Sequence, residues 1–169
     1  MKRRGFINTI AATTPLAVFP KTQSLGDLFE NKFNLNYAPH FGMFQNMGGE
    51  DLIDQLNFMA DNGFKAFEDN GMKNRSISMQ EKIGSTLNKR NMSMGVFVAH
   101  KIYWNEPNLA SGNKNKREEF LKHITESVDV AKRVNAKWMT VVPGHKDLRL
   151  NLSYQESNVI DTLKYACDI

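Results

Sequence analysis

Apolar side chains recur along this chain in two alternating rhythms, short nearly continuous runs and longer stretches at helical spacing. Residues 33–38 form the first short run and predict a strand. After Gly48 and Gly49, the positions Leu52, Ile53, Leu56, Met59 and Ala60 fall on one helical face, and Asn62-Gly63 supplies a stop. Residues 64–67 predict a second strand, followed by Ser78-Met79-Gln80-Glu81, which has the spacing of a capping box opening a helix. The almost uninterrupted run 92–99 predicts a third strand covered on both faces. From 114 to 134, Phe120, Leu121, Ile124, Val128, Ala131 and Val134 share a helix face. Residues 138–142 predict a fourth buried strand. A second capping box, Ser153-Tyr154-Gln155-Glu156, then opens a helix with Val159, Ile160, Leu163, Ala166 and Cys167 on its apolar side.

Four βα units in succession argue for a parallel sheet with right-handed crossovers, either an open doubly wound sheet or part of a barrel. The nucleotide-binding version of the open sheet needs G-x-G-x-x-G after the first strand, where Tyr37-Ala38-Pro39-His40-Phe41-Gly42 stands instead. The composition is that of a globular domain, 41% hydrophobic and 24% charged. The 169 residues fall short of the roughly 250 of a complete (β/α)8 barrel. Four units are half of such a barrel, so the first and fourth strands are expected to present unpaired edges. The last helical pattern reaches Asp168-Ile169 with no terminating Gly, Asn or Pro, which reads as an interruption.

Charge enters through the N-terminus. Lys2-Arg3-Arg4-Gly5-Phe6-Ile7-Asn8 precedes a mildly apolar stretch to Phe19 and resembles a bacterial twin-arginine export signal. Residues 1–20 are accordingly expected to be the signal, 21–32 a linker and 33–169 the folded domain, with a periplasmic destination and no membrane association after export. The formal net charge of +4 is mostly address label, because removing Lys2, Arg3 and Arg4 from 22 basic residues leaves 19 against 18 acidic ones. No basic stripe remains to support nucleic-acid binding. Cys167 is the single cysteine, so no internal disulfide forms, and its place on the apolar side of the last helix predicts a core position.

In parallel βα folds, ligands bind beyond the carboxyl ends of the strands. His40, Glu68, His100 and His145 follow the four predicted strands in turn, and strands about 4.8 Å apart let such groups converge on one small polar ligand. Each also has a plainer reading, a solvated or backbone-bonded loop side chain. Asp69 reads as a turn residue, Tyr103 and Trp104 as a sugar-stacking pair or as rim packing, and His123 as a surface residue of a helix without a role. The nine methionines read as core filler. No Cys-x-x-Cys, P-loop, nucleophile elbow or H-E-x-x-H occurs.

Several stretches carry a likeness: Phe33-Asn34-Leu35-Asn36-Tyr37-Ala38-Pro39-His40, Asp54-Gln55-Leu56-Asn57-Phe58-Met59-Ala60-Asp61-Asn62-Gly63-Phe64, Ala66-Phe67-Glu68-Asp69-Asn70-Gly71-Met72, and Ala136-Lys137-Trp138-Met139-Thr140-Val141-Val142-Pro143-Gly144. Together they resemble hydroxypyruvate isomerase-like proteins of the xylose isomerase-like (β/α)8 superfamily. The resemblance implies the N-terminal half of a TIM barrel and an isomerase or epimerase acting on a small sugar or hydroxy acid. In that chemistry one carboxylate removes a proton beside a carbonyl, a divalent metal ion stabilises the enediolate, and a second carboxylate returns the proton. The family's catalytic glutamates and most of its metal ligands lie on later strands, so no catalytic or metal-binding residue transfers to this chain. His40, Glu68, His100 and His145 remain substrate-side candidates. The alternatives are a polyol-binding half-barrel that self-associates and a metal-dependent endonuclease of the same superfamily.

Overall fold

The computed structural model describes residues 33–169. The expected export signal and linker lie outside the described residues. After the short helix α1 (Gln45–Gly48) come α2 (Leu52–Asp61), strand β1 (Ala66–Phe67), α3 (Ile77–Lys89), strand β2 (Ser93–Met94), α4 (Lys114–Val134) and α5 (Leu152–Cys167). Single 3-10 turns at Met72–Asn74 and Leu109–Ser111 punctuate the loops after the second and third strand positions.

β1 and β2 pair in parallel, with Ala66 opposite Ser93 and Phe67 opposite Met94. Parallel bridges extend the array on either side, His40 with Glu68 and Val98 with Thr140. The four segments therefore lie side by side in chain order, each followed by helix, which is the arrangement of four consecutive units of a (β/α)8 barrel.

Regular pairing is shorter than the apolar runs predict. Residues 33–38 form no ladder, and the first segment joins the array only near His40, where the Glu68 N–H donates to the Pro39 carbonyl. Residues 138–142 contribute one bridge, at Thr140, and Trp138 is exposed. These are the two outer segments of the array, each with a described neighbour on one side only. The third run is not covered on both faces: Met92, Met94, Phe97 and Ala99 are buried, whereas Val96 and Val98 are half-buried and Ser93 is exposed. Gly95 shifts the alternation by one residue where the chain passes Glu68; a β-carbon there would stand 3.1 Å from the Phe67 carbonyl oxygen.

The four longer helices start with side-chain caps, though α3 and α5 not at the residues the capping boxes named. Ser76, not Ser78, caps α3 by accepting from the Met79 N–H, and Asn151, not Ser153, caps α5 by accepting from the Ser153 N–H. Asp51 caps α2 and Asn113 caps α4 in the same way. The predicted stop at Asn62-Gly63 is present, with Gly63 at φ 86°.

Most of the apolar surface is buried in one cluster. Leu56 and Met59 of α2, Phe67 of β1, Ile83 of α3 and Phe97 are all fully buried there, with Val130 and Val134 of α4 closing the layer. α3 and α4 approach so closely that a β-carbon at Gly84 would lie 2.4 Å from the Arg133 carbonyl oxygen. A smaller cluster joins Ala99, Leu109, Phe120 and Ile124 to half-buried Val141, Val159, Leu163 and Ala166. Cys167 is exposed rather than in this core, one residue past the stripe that α5 buries. Met59, Met72, Met92 and Met94 fill core space as expected, but Met43 and Met47 are exposed.

Candidate functional site

The rim beyond the strand ends is held by side chains with no catalytic look. Gln55, Gln80 and Gln155 are buried polar residues, each four positions after a helix cap: Asp51, Ser76 and Asn151. That placement turns the amide back toward the loop entering the helix. Gln55 Oε1 accepts from the Gly42 N–H at 2.8 Å. Gln80 Nε2 donates to the Met72 and Arg75 carbonyls, while its Oε1 accepts from Arg133. Gln155 Oε1 accepts from the Asp147 N–H, and its Nε2 donates to the Asp147 and Leu150 carbonyls. Buried amides satisfied on both ends fix loop backbone that would otherwise lose its hydrogen bonds.

On this frame His40 and Glu68 meet. Their segments are bridged, and His40 Nε2 lies 3.8 Å from Glu68 Oε1, with both side chains partly exposed. The next residue fixes the turn: Asp69 Oδ1 accepts from the Gly71 N–H and Oδ2 pairs with Arg75 Nε, in keeping with its expected turn role. The Arg75 guanidinium stands over the Phe41 ring, 4.8 Å from its centroid, and Phe41 packs on Phe67. Loops one and two are thus joined beneath the His40–Glu68 pair. His40 also borders an apolar recess of about 480 Å³ that Tyr37, Met43, Phe44 and Phe64 line.

His100 is placed differently. It is buried, its ring packs edge-on to Phe120, and both nitrogens are engaged. The Val142 N–H donates to Nε2 at 3.0 Å and Nδ1 lies 2.8 Å from the Lys101 carbonyl oxygen. An amide N–H only donates and a carbonyl only accepts, so this pairing requires the neutral ring protonated on Nδ1. Burial lowers its pKa below the ordinary 6.5; the Lys101 hydrogen bond opposes this, and positive charge at His123 and Lys73 adds to it. In this geometry His100 ties the third strand segment to the fourth. His145 is exposed, with Nδ1 2.6 Å from the Lys146 carbonyl oxygen, and neither it nor His100 forms a hydrogen bond or ion pair with His40 or Glu68.

A cleft of about 380 Å³ opens between the loops after the second and third strand positions, with Val98 and His100 among its walls. Asn70, Lys73 and Asn74 line one side, Lys101 and Trp104 another, and His123 of α4 faces in. Lys73 Nζ donates to the His123 carbonyl and to Glu126, both at 2.9 Å, which lowers the Glu126 pKa. Tyr103 packs into the rim: Lys101 and Lys116 stand over its ring, and its hydroxyl donates to Glu119 at 2.7 Å. Trp104 instead stays 69% exposed at the cleft edge. The lysines and asparagines of this cleft carry no motif spacing, since two loops converge only in the fold. The buried glutamines did leave a signal, the recurrence of Gln at cap plus four.

Among the described residues, no group of three or more His, Cys, Asp or Glu side chains is arranged to hold a metal ion. His40 and Glu68 are two donors, and both His100 nitrogens are occupied. Among the described residues, the divalent ion implied by the family resemblance therefore has no fitting donor set.

No family model matches the chain, and no curated relative does. A solved structure does match, described as the crystal structure of AP endonuclease, family 2 from Brucella melitensis, with a TM-score of 0.61 at 18% identity over 78% of this chain. The chain spans 49% of that protein's length. At this identity the likeness is one of fold, and that fold is a partial (β/α)8 barrel.

Proposed function

We propose that this chain forms the N-terminal half of a hydroxypyruvate isomerase-like sugar isomerase or epimerase and supplies its substrate-side wall. The observation that carries the reading is the His40–Glu68 pair, side by side at the carboxyl ends of adjacent strand segments and still open to solvent. A carboxylate accepts hydrogen bonds from neighbouring hydroxyls and an imidazole both donates and accepts, which suits a small hydroxycarbonyl compound. This pair positions substrate. Proton transfer and metal binding are assigned, as the resemblance implies, to groups on later strands of a complete barrel.

Titration of the chain with hydroxypyruvate, followed by calorimetry, tests the reading. Saturable binding weakened about tenfold or more in Glu68→Gln and His40→Ala is expected, since each variant leaves a polar partner unpaired. Absence of binding, or binding indifferent to both substitutions, would overturn it.

The likeness to the AP endonuclease favours a second reading, a DNA-binding half-barrel. It predicts binding to a DNA duplex that falls steeply as salt is raised. The near balance of 19 basic and 18 acidic side chains, once Lys2, Arg3 and Arg4 are set aside from the 22, ranks it second.

A further inference from the structure

The cleft beside Trp104 has a polarity of its own. No acidic side chain lines it. Asn70 and Asn74 bring amide groups that no described residue engages, and Lys101 brings an exposed ammonium that also stands over the Tyr103 ring, 4.5 Å from its centroid. Lys73 is only 15% exposed at its side chain and spends two of its three N–H donors on the His123 carbonyl and Glu126, leaving one. The nearby carboxylates already have partners, Glu126 with Lys73 and Glu119 with the Tyr103 hydroxyl. The cleft thus offers a ligand the amide groups of both asparagines, one remaining Lys73 donor and the Lys101 positive charge, beside one exposed indole face.

We propose that this cleft is an anion site, taking the carboxylate or phosphate end of a small polyhydroxy compound between Lys73, Lys101 and the two asparagines while Trp104 covers the ligand's C–H face. Lysine ammonium groups serve as point charges toward either anion, and an aromatic ring stacks on the apolar face of a polyol. Both loops leave the carboxyl ends of neighbouring strands, where ligands of parallel βα folds bind. In identifying the anion as one end of the substrate, the inference rests on the reading above; the anion site itself does not.

Trp104 provides the readout. The chain has two tryptophans, and Trp138 is 73% exposed, so Trp138→Phe leaves Trp104 as the sole indole without disturbing the core. In that background, fluorescence is titrated at constant ionic strength with inorganic phosphate, D-glycerate and neutral erythritol. The expected result is a saturable change with at least one anion and none with erythritol at equal concentration, weakened about tenfold or more by Lys101→Glu. The anion that binds more tightly identifies the ligand end. Lack of saturation with both anions, an equal response to erythritol, or a response unchanged by Lys101→Glu would overturn the proposal. Lys101 is exposed apart from its contact with the Tyr103 ring, so a second variant, Lys101→Gln, is expected to weaken binding in the same direction without reversing charge, and thermal melting of both variants checks that the fold is retained. Because the experiment reads Trp104 and Lys101 rather than His40 and Glu68, failure here leaves the hydroxypyruvate result to stand or fall separately.

Discussion

The middle of the strand array and its C-terminal flank carry similar apolar patterns and bury them very differently. Around β1 and β2, the side chains of Leu56, Met59, Phe67, Ile83 and Phe97 are entirely removed from solvent. In the last unit Trp138, Leu152 and Ile160 are more than half exposed, and the two buried residues of α5 are Gln155 and Thr162. The difference is one of neighbours. α3 packs against both α2 and α4, whereas α5 meets α4 and the turn at Leu109–Ser111 and has no described helix beyond it. Hydrophobic free energy follows the area that neighbours remove from water, so the same residue types stabilise the middle far more than the flank.

That contrast is most sharply broken by truncation in the middle. Phe67→Ala is expected to cost about 3–5 kcal/mol, measured by urea unfolding, because it leaves a cavity under Phe41 and between two helices. Trp138→Ala, on the flank, is expected within about 0.5 kcal/mol of the parent. Comparable losses at the two sites would mean that the flank is covered in solution.

The glutamines sharpen the comparison at a smaller scale. Gln80→Leu strips partners from two loop carbonyls and from Arg133, and is expected to cost about 1–3 kcal/mol. Gln155→Leu is expected to cost less, because the loop it holds, at Leu148, Arg149 and Leu150, is exposed and water replaces the lost bonds. Urea unfolding of both variants in parallel gives the ordering, and a larger loss at Gln155 would contradict it.

The smallest effect concerns the join between the two regions, His100. Its folded pKa lies below the unfolded value of about 6.5, so the unfolded chain takes up the proton more readily. The stability that the neutral ring contributes is fully present above about pH 6.5 and declines as pH falls below it toward the folded pKa. His100→Gln should flatten that decline, read as unfolding free energy above and below this window. A variant with an undiminished acid slope would assign the slope to other groups.

Much of this fold is legible in the sequence because helices announce themselves through periodicity and capping. The span of α4 and the stop at Asn62-Gly63 follow from residues within a few positions of one another. Strand extents do not, because pairing depends on neighbours supplied elsewhere: the runs 33–38 and 138–142 are apolar enough for strands yet yield single bridges. The capping boxes misplaced two helix starts because Ser76 and Asn151, which cap the helices, have no glutamate three residues on to mark them.

The site divides in the same way. Topology alone placed His40 and Glu68 at adjacent strand ends, and they meet. Position after a strand did not reveal that His100 turns inward to the Val142 amide, nor that His123 faces a cleft. Such orientations depend in part on residues distant in the chain, Val142 for His100 and Lys73 for His123.

The buried glutamines have a consequence for how such a rim changes over time. Each anchors its loop through main-chain groups, so the anchor is indifferent to which side chains the loop displays. Asn70 lies just ahead of the stretch held by Gln80 and Asn74 within it, and neither contributes a hydrogen bond of its own side chain to it. Surface chemistry at those positions is thereby uncoupled from loop shape. A lineage can vary the side chains there one substitution at a time while the scaffold beneath stays the same.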